Sequence, residues 1–249
     1  MPAVGPAAVP GAAAHVFVAD VAEPELDDSD RHHLERVLRL RRGDVVTAGD
    51  GQGRWRVCRV SAGPGAGLGA GLEAESDVVA EPRPSPDVTV AFSPTKGDRP
   101  EWAVQKLTEL GVDRVVVFSA ARSVVRWEGD RGRRAVERLR RVARAAAMQS
   151  RRAWLPVVEG PSGFAEVAAR PGAALADAGG QPPWLAPGPV LVGPEGGWSP
   201  DEAAREGLAH MALGPHVLRA ETAAVTVAAL LGGLRAGLVA PAGEGAPGV

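Results

Sequence analysis

Lysine is nearly missing from this chain. Of its 28 lysine and arginine residues only Lys96 and Lys106 are lysine, tyrosine is absent, and cysteine occurs once, at Cys58. A single thiol excludes a disulfide framework and any cysteine cluster for zinc. The five histidines are scattered apart from His32-His33, so no metal site is expected, and a reducing, cytoplasmic setting is. Net charge is only -2, which leaves no global basic field to advertise a nucleic-acid partner. Long apolar runs are lacking too. The most apolar stretch, Ala223 to Val239, is cut by Gly232, Gly233 and Arg235, which reads as a buried or interface helix and not a membrane span. Met1 to Ala14 has neither a basic start nor an uninterrupted apolar core and makes a poor signal peptide. It reads as a disordered tip, as does the tail Ala242 to Val249. No membrane partner is expected.

What is abundant is alanine, glycine, proline and arginine, a compositional bias before it is a function. The 249 residues permit one large or two modest domains with a real core. From His15 to Glu81 the pattern is β-rich. Short strands are expected at Val16 to Val18, Asp44 to Ala48, Arg54 to Val60 and Leu72 to Val79, with a helix over Asp28 to Leu40 whose Leu34, Val37 and Leu38 share one face. The stretch Glu81-Pro82-Arg83-Pro84-Ser85-Pro86-Asp87 continues neither strand nor helix comfortably and marks a linker. Beyond it strands and helices alternate, the mark of a parallel sheet with crossover helices. Val88 to Phe92, Val115 to Phe118 and Leu175 to Ala178 read as strands. Asp98 to Leu110 reads as a helix with an Asp-x-x-Glu start, in which Lys106 and Glu109 either form a weak surface ion pair or reach RNA and the domain interface.

One later helix is strongly basic. Between Arg131 and Met148, Arg131, Arg133, Arg134, Arg138, Arg140, Arg141 and Arg144 face a single acid, Glu137, around an apolar stripe of Val136, Leu139 and Ala143. Local basicity on a nearly neutral protein is the footprint of a phosphate-binding face; the competing account is arginine bias.

The chain is organised around residues 190–229. A strand, Val190 to Val192, runs into Gly193-Pro194-Glu195-Gly196-Gly197, after which Ser199, Pro200 and Glu202 spell an N-cap, a first-turn proline and a capping box. A second strand, Met211 to Leu213, enters a second glycine loop, Gly214 to Glu221, ahead of a long apolar helix. Loops beyond the carboxyl ends of such strands bind ligands. The proline and carboxylate in the first loop argue against a polyphosphate, which needs bare amides, and favour a neutral or cationic ligand held by main-chain atoms. A tight turn without function is the alternative.

These motifs, GPEGG-x-S-x-x-E followed by L-G-x-x-x-L-R-x-E-T-A, together with KGDRPEWAVQKLTELGV, AAAMQSRRAWLP and HHLERVLRLRRGD upstream, resemble those of the RsmE-type 16S ribosomal RNA uridine N3-methyltransferases, a family of the SPOUT superfamily. The resemblance implies a PUA-like β-barrel RNA-binding domain over residues 15–81, then a trefoil-knotted α/β methyltransferase domain over residues 88–239. It implies S-adenosylmethionine in a pocket of Leu175, Val192, Gly193, Pro194, Glu195, Gly196, Gly197, Leu213, Gly214, Val217, Leu218, Thr222 and Ala223. It also implies RNA contacts at His15, Arg36, Arg39, Arg42, Lys96 and Arg152, with 16S rRNA in the small ribosomal subunit as substrate and a homodimer as the working form. His15, Met148, His216 and Ala220 depart from the residues usual in the family.

Methyl transfer from a sulfonium mainly needs alignment and exclusion of water. The uridine N3 must shed its proton as the methyl arrives, so a cation near O2 or O4 would stabilise the pyrimidine anion. Arg219 is the candidate for that, and Glu221 is either a base or an anchor for Arg219. Glu195 is read as doing structural work, either capping the following helix or orienting its loop. A SPOUT enzyme acting on another RNA position, or a non-catalytic RNA-binding assembly factor, are the rival readings.

Overall fold

The computed structural model describes residues 5–32, 34, 39–62 and 70–240. The chain divides into two compact units, Met1–Arg83 with Ala147–Leu155, and Pro84–Ala146 with Pro156–Val249. The chain thus passes between units inside the proline-rich stretch. It later lends nine residues back to the first unit, a return that a single linear boundary does not anticipate.

In the first unit, β1 (Ala14–Phe17) lies parallel to β2 (Val45–Gly49), and β2, β3 (Arg54–Ala62) and β4 (Ala70–Ala74) follow antiparallel, with β5 (Val79–Ala80) pairing the start of β3. Alternation along β3 turns Cys58 and Val60 inward, onto a core with Val16, Val46, Ala48 and Leu34, while Arg59 points out to an ion pair with Glu75. Burial pushes the Cys58 thiol up to about 11, as expected of a small apolar side chain with no reactive role. The continuous strand expected over Leu72 to Val79 is broken. Ser76 takes the Val57 N–H on its hydroxyl and the Arg56 Nε–H on its carbonyl, a local alternative to ladder bonding. Of the expected helix from Asp28, α1 (Asp28–His32) is described, with Asp27 accepting the Asp30 N–H at 2.7 Å. His33, Arg36, Val37 and Leu38 lie outside the described residues, as do 1–4 and 242–249 of the two expected tips; the rest of the first tip is folded and not disordered, with Pro6 and Ala12 buried and Ala14 opening β1.

The second unit holds, among the described residues, a six-stranded sheet of β6 (Thr89–Phe92), β7 (Arg114–Ser119), β8 (Val157–Gly163), β9 (Ala174–Gln181), β10 (Val190–Val192) and β11 (Ala209–Met211), in the order β11-β9-β10-β6-β7-β8. Every pairing in it is parallel. The crossover helices are α2 (Arg99–Glu109), α3 (Gly129–Gln149), α4 (Phe164–Ala168), α5 (Pro200–Ala203) and α6 (Ala220–Arg235). Central strands read as unbroken apolar runs because both faces are covered; Val190, Leu191 and Val192 are all buried. One face joins the cluster of Leu107, Leu139, Val227 and Leu231, the other that of Phe118, Val167, Leu175 and Leu191.

Three local expectations need correction. Asp98 makes no side-chain cap, because its backbone sits at φ -93°, ψ 3° and not in the extended region an N-cap requires. Glu101 consequently pairs with Arg138 on α3. The strand expected at Met211 to Leu213 lies two residues earlier, as β11. Finally, the apolar helix expected from Ala223 to Val239 runs as α6 from Ala220 and stops at Arg235. A Cβ on Gly232 would stand 3.1 Å from the Leu110 carbonyl oxygen, so glycine there permits close packing on α2. Arg235 then closes the helix on buried Asp113 and the Gly111 carbonyl, a pair whose disruption would leave a buried charge. Among the described residues no helix is long and apolar enough to cross a membrane.

Candidate active site

Because the sheet is parallel, the carboxyl ends of its strands share one edge. The chain moves from β6 toward β7 on one side and from β10 toward β11 on the other, although β6 and β10 are neighbours. That reversal is a topological switch point, where open α/β sheets bind ligands. The loop after β10 (193–198, the first loop) and the loop after β6 (93–98) both emerge there, and the loop after β11 (212–219, the second loop) lies two strands away.

These loops are tied to each other and to the sheet. Ser93 donates its N–H to the Val192 carbonyl at 3.2 Å and shares a 2.6 Å hydroxyl bond with Ser123 in the loop after β7. Trp198 stacks on Phe118 and donates its Nε1–H to the Ala176 carbonyl at 3.0 Å, which fixes the first loop over β9. Gly197 returns its N–H to the Pro194 carbonyl at 2.8 Å, closing a turn over Glu195 and Gly196. The Gly196 carbonyl accepts from Arg122 at 3.2 Å, and a Cβ on Gly196 would stand 3.1 Å from the Arg122 Cβ.

The predicted capping box forms. Ser199 accepts the Glu202 N–H at 3.3 Å and Glu202 accepts the Ser199 N–H at 2.9 Å. Glu202 does more than its motif foretells: it is buried, and its second oxygen accepts the Ala121 N–H at 2.7 Å.

The two glycine loops meet through a residue that sequence reasoning missed. Arg99, the first residue of α2, lies 3.5 Å from Glu195 on the first loop and 3.7 Å from Glu221 at the start of α6. Arg99 is thus the partner of Glu195. Arg219 and Glu221 do not pair; Arg99 takes the anchor's place. The other Glu221 oxygen, Oε2, is buried and has no hydrogen-bond partner. Arg219 is exposed at the N-cap position of α6; its carbonyl accepts the Ala223 N–H at 2.8 Å, while its guanidinium has no partner among the described residues. Glu195, Glu221 and Arg99 together carry a formal charge of -1, with Arg122 on the Gly196 carbonyl and Arg219 two residues from Glu221 as further cations of the same loops, and an orphaned acceptor is a place for an N–H donor.

The remaining residues expected in a cofactor pocket are spread over the same edge. Leu175 and Val192 are buried strand residues, while Leu213, Leu218 and Ala176 are half-buried against the core. Gly193 is half-buried, Pro194 buried, and Glu195, Gly196, Gly197 and Gly214 are exposed. Gly214 adopts φ +145°, a region closed to most side chains. Ala223 is buried inside α6, Thr222 is exposed, and Val217 is fully exposed, so Val217 has only its main chain to offer a pocket wall.

The expected RNA contacts fare unevenly. Arg39, Arg42 and Lys96 are exposed and Arg152 is half-buried, while Arg36 lies outside the described residues. His15 must be corrected. It is 2% exposed, its Nδ1 lies 2.9 Å from the Thr47 hydroxyl, and burial lowers its pKa to about 4. A neutral imidazole inside the first unit has no surface to give a phosphate. The ion pair expected between Lys106 and Glu109 forms at 2.7 Å, and Met148 packs against the first unit's core, an apolar place that suits a methionine better than a glutamate.

A family model described as an RNA methyltransferase domain matches residues 81–232, and one described as an RNA methyltransferase PUA domain matches residues 26–66. The ribosomal RNA small subunit methyltransferase E of Mycobacterium bovis is 35% identical over 235 residues, covering 83% of this chain and 85% of that one. The chain belongs to this RNA methyltransferase family. Its relative of the same name from Synechocystis is 32% identical over 84% of this chain and 72% of its own. The crystal structure of the family member from Neisseria gonorrhoeae, bound to S-adenosyl methionine, has the same fold, with a TM-score of 0.73 and 24% identity over 89% of this chain and 97% of that one. The α/β class and the PUA-type first unit read from the motifs are those of the family.

Proposed function

We propose that this protein transfers a methyl group from S-adenosylmethionine to N3 of a uridine in the 16S rRNA of the small ribosomal subunit, as a cytoplasmic homodimer whose second unit carries the SPOUT knot. The reading rests above all on Arg99, which joins Glu195 and Glu221 from the two glycine loops while Glu221 Oε2 stays buried and unpartnered.

When bound, S-adenosylmethionine supplies an electrophilic methyl on a sulfonium cation. The residues present fit such a group. Main-chain atoms of Gly193 to Gly197 and of Gly214 to Leu218 would hold it, the Glu195 and Glu221 carboxylates favour its charge, and half-buried Leu213 and Leu218 keep water off the reacting atoms. Toward the pyrimidine, Arg219 stabilises negative charge on O2 or O4 as N3 loses its proton. Glu221 accepts that proton on Oε2 while its other oxygen stays on Arg99. N3 lies on the Watson-Crick edge, so the target must be unpaired or turned out of its helix. Arg36, Arg39, Arg42, Lys96 and Arg152 are assigned to the RNA.

The test is methylation of purified, unmodified small subunits with isotope-labelled cofactor, followed by mapping of the modified nucleoside. Label at N3 of a single 16S uridine is expected. Label on a ribose 2′-oxygen, on another base, or nowhere would overturn the assignment.

A further inference from the structure

We propose that three arginines on α3, Arg131, Arg134 and Arg141, form a strip that grips the phosphate backbone of the substrate RNA. The inference rests on the RNA methyltransferase reading above and adds to it a surface outside the cofactor loops. At 100° per residue Arg131, Arg134, Arg138 and Arg141 fall within an arc of about 80°, on the side of α3 away from the buried stripe of Val136, Leu139 and Ala143. Arg133 and Arg140 lie on the adjoining row.

What separates the two rows is who already holds each charge. Arg133 pairs with Asp130, Arg140 with Glu137 and with the Val158 carbonyl at 3.1 Å, and Arg138 with Glu101 of α2. Arg131, Arg134 and Arg141 are exposed and, among the described residues, have neither an ion pair nor a hydrogen bond. The acids of α3, Asp130 and Glu137, are both spent on the other row. Like charges at i,i+3 destabilise a helix slightly, and among the described residues no ion pair relieves Arg131 and Arg134 of that repulsion. On α3 itself, the three exposed arginines that have no ion pair among the described residues fall on one face and not around the helix.

The strip also starts in the right place. The loop after β7 carries Arg122, which donates to the Gly196 carbonyl of the first loop, and leads directly into α3 at Gly129. From Arg131 to Arg141 the helix advances about 15 Å at 1.5 Å per residue, long enough to follow several successive backbone phosphates. Guanidinium forks suit phosphate oxygens. An RNA whose target base is seated at the loops can therefore run its flanking backbone along α3.

The experiment compares the full-length R131Q/R134Q/R141Q variant with R133Q/R140Q, which removes the same kind of residue from the self-paired row. Binding to small subunits is followed as a function of salt, alongside melting temperature and calorimetric S-adenosylmethionine binding. The strip variant is expected to lose about two from the slope of log affinity against log salt and to bind roughly tenfold or more weakly near 0.1 M salt. The paired-row variant should lose no more than twofold, and cofactor affinity should be unchanged in both. An unaltered slope in the strip variant, or an equal loss in the two, would overturn the proposal. So would a loss confined to intact subunits and absent with naked rRNA fragments, which would assign the strip to an acidic ribosomal protein. Failure of the underlying reading shows separately, as wild-type protein that transfers no methyl group.

Discussion

Replacing Glu202 by alanine removes two acceptors at once, the one serving the Ser199 N–H at 2.9 Å and the one serving the Ala121 N–H at 2.7 Å. Each bond runs to a carboxylate in a place where water has limited access, since Glu202 is only 6% exposed. Leaving such an N–H without a partner costs about 1–3 kcal/mol. As both donors are only partly buried, the lower half of that range applies, for a total of about 2–4 kcal/mol. Ser199→Ala removes one bond, the 3.3 Å acceptance of the Glu202 N–H, and should cost about 1 kcal/mol, as N-cap losses do. The difference of about 2 kcal/mol converts to roughly 4–8 °C in melting temperature for a chain of this size. Scanning calorimetry of the two variants beside wild type gives the comparison, with Glu202→Asp expected between them because the shorter side chain cannot span both donors. Equal shifts for Ser199→Ala and Glu202→Ala would mean that the bond to Ala121 contributes nothing, and the tie between the first loop and the loop after β7 would fall with it.

Other expectations follow from the same geometry. Glu221→Gln should lower the methylation rate at saturating cofactor about 100-fold, in the range of a lost general base, while S-adenosylmethionine affinity falls by no more than about fivefold, the share of the Arg99 bridge; a rate within threefold of wild type would remove Glu221 from proton transfer. Gly214→Ala places a Cβ at φ +145° and stores about 1–3 kcal/mol of strain, so cofactor affinity should fall roughly tenfold while the first unit melts unchanged. Burial lowers the His15 pKa from 6.5 to about 4, so between those pH values the unfolded chain binds a proton that the folded chain refuses. Stability of the first unit is therefore complete above pH 6.5 and is lost as pH falls toward 4, by about 3 kcal/mol. Urea unfolding followed by fluorescence of Trp55 and Trp154 in wild type and His15→Leu should show that slope only in the wild type.

How much of this was legible in the residues depended on distance along the chain. The capping box at Ser199, Pro200 and Glu202 was readable because its partners lie within four positions, and β10 was readable because a strand covered on both faces must be apolar throughout. Asp98 shows the limit of such reading. Its spacing to Glu101 matches a cap, but its backbone angles deny one, and Glu101 turns instead to an arginine 37 residues away. His15 looked like a polar contact before a strand, and only the fold reveals that β1 turns it inward against Thr47. The bond from Glu202 to Ala121 spans 81 residues. No local pattern could have announced it.

Arg99 is the strongest case of a residue invisible to local pattern and central to the site, 96 residues from Glu195. Its contacts at 3.5 and 3.7 Å are long and its side chain is 42% exposed, so each pair is worth under about 1 kcal/mol in water. The two together bias the spacing of the loops by about 1 kcal/mol, which is about fivefold in the affinity of any ligand that needs both. Arg99→Ala would leave two carboxylates facing one another across the site, pushing the loops apart just where a cation must be enclosed. Arg99→Lys restores the charge but not the fork, and one ammonium cannot serve both carboxylates as a guanidinium does. Calorimetry should therefore rank S-adenosylmethionine affinity as wild type, then Arg99→Lys, then Arg99→Ala, with the whole range near fivefold and shrinking as salt is added. If Arg99→Ala bound the cofactor as tightly as wild type at low salt, the two loops would be held by their own strands alone, and the charged bridge between them would be incidental to binding.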